Sequence, residues 1–125
     1  MKKYPQEYYL FFDKFNQAEY YECHDLLEEI WLTDRQNNFL KGLLQFAVGF
    51  YHYGNGNING TRLMFSSAKN YLEKYLPRYW DLNLEPIITY IKEILPKLPL
   101  ADKIPYEKAK ENPLPAIKLD LNSKI

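Results

Sequence analysis

Between Arg35 and Tyr53 the chain carries Phe39, Leu40, Leu43, Leu44, Phe46, Ala47, Val48, Phe50 and Tyr51, apolar positions that wrap almost fully around a helix. Hydrophobicity on all sides marks a buried helix, so other helices must cover this one. One narrow line departs from the pattern. Asn38, Gln45 and His52 recur every seven residues, and Gly42, Gly49 and Gly56 form an interleaved series of the same period. At about 100° per residue, steps of four and three keep returning to one side, so both series share a stripe. Glycine inside a helix costs roughly 0.5–1 kcal/mol relative to alanine, and Gly42 and Gly49 therefore predict a close approach by another backbone.

The flanking pattern is also helical. Pro5 followed by Tyr8, Tyr9, Phe11, Phe12 and Phe15 predicts a first helix to Gln17, apolar on more than one side, and a second runs from Ala18 or Glu19 to Leu32. Thr33 to Arg35 turn into the central helix, which ends in YGNGNING, where Asn57 or Asn59 can cap the next. That helix, Ile58 to Leu76, repeats Leu63, Met64, Phe65, Ala68, Tyr71, Leu72 and Tyr75 at three- and four-residue steps. Pro77 ends it, Tyr79 and Trp80 plug the end of the bundle, and Asn83 can cap a fifth helix closed by Pro96. Pro99, Pro105, Pro113 and Pro115 then forbid a long helix, although YEKAKEN can make one short turn. The expectation is an all-α bundle of about five helices built from antiparallel hairpins over residues 1–98. Residues 99–125 form an extended tail, draped over the body or partly disordered at its end.

The second helix holds the candidate chemistry. Counted around its axis, His24 falls among Tyr20, Leu27 and Trp31 on the apolar face, and Glu28, one turn on, lies on the inward half. Glu22, Asp25 and Glu29 point outward. Antiparallel packing would bring this helix onto the glycine stripe, so that His24 and Glu28 face Gln45 and His52. Two imidazoles and a carboxylate in an apolar interior can hold a divalent transition metal, with Gln45 in support, and a metal-bound hydroxide could serve a hydrolase. The competing reading is a closed polar network of the same residues that fixes helix register. Cys23 beside His24 is not a nucleophile and base, because adjacent helical residues diverge by about 100°. Asn57 is read as a cap before a ligand-reading residue, and Trp31 as a core anchor before a stacking platform.

Composition narrows the partners. Sixteen basic and sixteen acidic residues give zero formal net charge, which offers nucleic acid and anionic membranes no general attraction. No apolar run approaches the roughly 20 residues of a membrane span. One cysteine and an amino terminus without a signal-type apolar core suit a cytoplasmic protein. Twelve tyrosines, spread along the chain, fit half-buried positions around a core better than a stacking surface.

HDLLEEIW (His24 to Trp31), GLLQFAVGFYHY (Gly42 to Tyr53) and GNING (Gly56 to Gly60) together resemble the signature of a small helical family catalogued as domain of unknown function 309. The resemblance covers Phe15 to Leu72. In that family's pattern a histidine, an acid, leucine, glutamate and tryptophan stand at His24, Asp25, Leu27, Glu28 and Trp31. Glycine, leucine, glutamine and alanine match Gly42, Leu43, Gln45 and Ala47, and further matches fall at His52, Gly56 and Asn57. Cys23 and Thr61 stand where alanine is usual. The resemblance implies an all-helical bundle and no established activity.

Two functional classes follow. One is a site for a metal or small polar ligand, with His24, Glu28 and His52 as metal ligands and Gln45, Trp31 and Asn57 as ligand-binding residues. The other is a scaffold that docks a partner protein, or a homodimer suggested by the apolar surplus of the first helix and the outward Leu26.

Overall fold

The computed structural model describes residues 3–121, and the expectation for the last four residues lies outside them. The fold is an all-α bundle: α1 (Gln6–Asn16), α2 (Tyr20–Leu32), α3 (Asn38–Gly54), α4 (Ile58–Leu72), α5 (Glu85–Ile94) and the short α6 (Tyr106–Glu111). α1 to α4 form successive hairpins because the links between them are short, and two of these links carry a side-chain cap. Asn37 accepts a hydrogen bond from the Leu40 backbone N–H at the start of α3, and Asn57 accepts one from Gly60 at the start of α4. Ala18, at φ 63°, sits in the left-handed region that lets the chain reverse between α1 and α2.

α3 is the axis of the molecule. Phe39, Leu40, Leu43, Phe46, Ala47, Phe50 and Tyr53 are buried around most of its circumference, as its all-round hydrophobicity predicts. α1 contributes Tyr8, Phe11, Phe12 and Phe15 to the same core, with Phe15 stacked on Phe46 at 5.6 Å. The apolar surplus of α1 is thus covered within the chain, which withdraws that ground for a homodimer. Part of the cover is a hairpin of β1 (Arg78–Tyr79) and β2 (Leu82–Asn83). Its turn residues Trp80 and Asp81 both have positive φ, and Trp80 stacks on Tyr4 at 4.9 Å and meets Tyr8 edge-on at 5.1 Å. The hairpin is too short for its alternation to show in the sequence.

Beyond α5 the chain returns to the start of α4, where Asn59 N–H donates to the Asp102 carbonyl and Ile104 N–H to that of Gly56, both at 2.9 Å. α6 follows and buries Ala109. Residues 112–120 then cross the bundle without regular structure. Tyr53 Oη donates to the Asn112 carbonyl and Tyr90 Oη to that of Pro115. Asn16 exchanges two 2.8 Å bonds with the Leu119 backbone, and Leu119 is buried. This strap closes over the core from α3 to the α1–α2 corner.

Candidate functional site

The glycine stripe of α3 receives α4 and not α2. A methyl group on Gly42 would lie 2.8 Å from the Leu72 side chain, and one on Gly49 would overlap the Phe65 ring. Both neighbours are joined to α3 by short links, but α4 supplies the bulky side chains that fill the two glycine positions. α2 packs on an adjoining side, where Tyr20 stacks on Phe50 at 4.7 Å. The expected meeting of His24 and Glu28 with His52 across that stripe therefore does not take place.

The inner face of α2 is also rotated from the expected one. Cys23, Leu27 and Ile30 form its buried centre, because α2 is covered by α1 as well as α3. His24 lies on the flank with its side chain about one-third exposed, its Nε2 3.5 Å from Glu28 Oε2 and its Nδ1 3.5 Å from Asp25 Oδ1. Such exposed pairs within one helix contribute little. His52 lies at the other end of the constellation. Asn57 Nδ2 donates to its Nδ1 at 3.2 Å while Asn57 Oδ1 accepts from Gly60 N–H at 2.9 Å, so both side chains tie α3 to α4. Burial lowers the His52 pKa, which keeps the imidazole neutral as that acceptor role requires. Among the described residues no group of three or more His, Cys, Asp or Glu is gathered to hold a metal ion. The metal set of His24, Glu28 and His52 is thus not assembled.

Trp31 and Gln45 each carry a buried polar atom. The Arg35 guanidinium lies 5.7 Å from the Trp31 ring, and Lys41 Nζ lies 5.8 Å from that ring and 5.1 Å from the ring of Tyr71. α2 and α4 thus converge over Lys41, one helical turn before Gln45. Trp31 Nε1 and Gln45 Oε1 are both buried and without a hydrogen-bond partner among the described residues, a donor and an acceptor respectively. Cys23 is fully buried, donates weakly to the Phe11 carbonyl, and has its thiol pushed up to about 12 by burial. That is a packing role, as its place in the sequence suggests.

One concavity was not anticipated from the sequence. A cavity of about 930 Å³ opens between the start of α2, the end of α3, and α6 with its following strap. Its walls are Tyr20, Tyr21, Phe50, Tyr51, Tyr53, Tyr106, Leu114 and the two prolines beside it, with Glu19, Glu22, Asn55 and Lys110 as polar members. Tyr21, Tyr51 and Tyr106 stay 56%, 42% and 55% exposed. The one signal in the sequence was the excess of tyrosine, which gathers here from three segments far apart in the chain.

Residues 8–64 match the family model described as "Domain of unknown function (DUF309)", so the resemblance read from the three motifs holds for that segment. The chain is also 29% identical over 86 residues to the "Uncharacterized protein YpuF" of Bacillus subtilis (strain 168), covering 66% of this chain and 49% of the relative. The chain spans about half the length of that curated relative. No solved structure gives a significant match. The matched segment holds most of α1, all of α2 and α3, the start of α4 and every candidate residue named from the sequence. α6 and the strap, which complete the cleft, lie outside it.

Proposed function

We propose that this domain is a non-catalytic binding module whose working surface is the tyrosine-lined cleft. The observation that carries this reading is the cleft itself. Its volume of about 930 Å³ and its aromatic walls with a few polar groups match the chemistry of small-ligand sites. Tyr53 and Tyr90 hold the strap through their hydroxyls, so one wall is fixed by bonds that do not consume the exposed ring faces of Tyr21, Tyr51 and Tyr106. His24, Glu28 and His52 read in this light as architecture, and a hydrolase built on them draws no support from their separation. The single, buried thiol suits a cytoplasmic setting.

Backbone-amide NMR during titration with a library of small aromatic and charged compounds tests the reading. The expected result is shifts concentrated at residues 18–22, 50–55 and 106–116. Hits scattered over the surface would overturn it. So would near-stoichiometric zinc, manganese, iron or nickel that is lost in both His24→Ala and His52→Ala.

A second reading keeps the polar-ligand site at Trp31 and Gln45, and it rests on their two unpartnered buried atoms. A carboxamide complements either atom, accepting from Trp31 Nε1–H or donating to Gln45 Oε1. Acetamide should then perturb α2 and α3 near these residues, and the response should vanish in Gln45→Leu. A Gln45→Leu protein that is more stable, with no acetamide response in the parent, sinks this second reading.

A further inference from the structure

Resting on the cleft reading, we infer that the occupant is a small organic cation of the alkylammonium type, held against the faces of Tyr21 and Tyr51 beside Glu22. The rings supply the first part of the argument. Tyr21 and Tyr51 come from different helices, their centres are 5.6 Å apart and their planes meet at 46°, which leaves an angled corner of two aromatic faces. Tyr106 of α6 adds a third exposed ring to the same cavity. Aromatic faces carry the negative end of the ring quadrupole and attract a weakly hydrated cation within about 6 Å.

Charge supplies the second part. Two carboxylates and one ammonium line the cavity, although the whole chain is neutral. Glu19 pairs with Lys14 at 3.3 Å, whereas Glu22, which lines the same cavity as Tyr21 and Tyr51, has no ion-pair partner among the described residues. Lys110 is the only basic side chain of the lining and belongs to α6. A phosphate-bearing ligand would meet two acids with one lysine to offset them. A neutral aromatic ligand would use the rings but give the unpaired acid no role. An alkylammonium uses both, because its methyl groups pack on the tyrosine faces while its charge is balanced by Glu22.

Choline and its neutral carbon isostere, in which carbon replaces the ammonium nitrogen, make the matched probes. Each is titrated into the full chain and followed by backbone-amide NMR. Choline should shift the resonances of residues 20–22 and 51–55 and bind about tenfold tighter than the isostere, the scale of a partly desolvated cation–π contact. Tyr51→Leu and Glu22→Gln, both at exposed positions, should each remove most of that preference without changing the melting temperature, and Lys110→Gln should increase it. Equal binding of the two probes at the cleft would overturn the cation inference and leave the cleft reading standing. If neither probe perturbs the cleft and the wider library misses it too, both fall.

Discussion

α3 presents two contrasting regions: the seam with α4 and the cleft near its own C-terminal end. Along the seam, Gly42 and Gly49 leave hollows that Leu72 and Phe65 fill, so the helices close on each other and leave no room for anything else. Near the cleft, at the end of α3, Tyr51 and Tyr53 instead line an open cavity together with residues of α2, α6 and the strap. Small residues let backbones meet, whereas tyrosines coat a concavity with amphipathic surface. The side chains along one helix thus mark where the bundle is solid and where it opens into a cleft.

The contrast breaks most sharply at the seam. Gly49→Ile should destabilise the protein by about 3 kcal/mol in urea unfolding, because its side chain must displace the Phe65 ring. Partial recovery in the double variant with Phe65→Ala would show that the two positions share one space. The control lies in the same helix: Gly54, with nothing within 4 Å of an added methyl, should give a Gly54→Ala protein more stable by about 0.5 kcal/mol. If both glycine variants behaved alike, the close approach would not be what the seam depends on.

The cleft wall comes next. Asn16→Ala removes both hydrogen bonds to the Leu119 backbone and should lower stability by about 1–2 kcal/mol, with faster amide exchange along the strap. Tyr53→Phe, which removes one bond to the Asn112 carbonyl, should have a smaller effect of about 1 kcal/mol. Unchanged exchange at residues 112–119 in both variants would mean that these bonds do not hold the wall.

The smallest effect concerns His52. Its pKa in the folded protein lies below the ordinary value of 6.5, so the unfolded chain takes up a proton that the native state refuses. Its contribution to stability is therefore present above pH 6.5 and is lost as the pH falls from there through the folded value. His52→Gln should flatten the stability profile in that window. A slope identical to the parent's would show that the bond with Asn57 does not depend on a neutral imidazole.

The helices were legible because their signals are local. The cap at Asn57, the all-round apolarity of α3 and the hairpin links each depend on residues within a few positions of one another. His24 was misplaced for an equally physical reason. An apolar face counted on one helix does not say how many neighbours share it, and α2 has two. The glycine stripe likewise announced a close approach but not its partner, since α2 and α4 are both tethered near α3.

What the sequence determined by itself is the class of fold, the helix order, the caps and the presence of a close seam on α3, all consequences of periodicity and backbone chemistry. Only the tertiary structure decided that α4 fills the seam, that His24 and His52 remain apart, and that tyrosines from residues 20–21, 51–53 and 106 share one cleft. Those outcomes depend on how side-chain volumes from distant segments compete for the same space, a quantity that no single stretch of sequence contains.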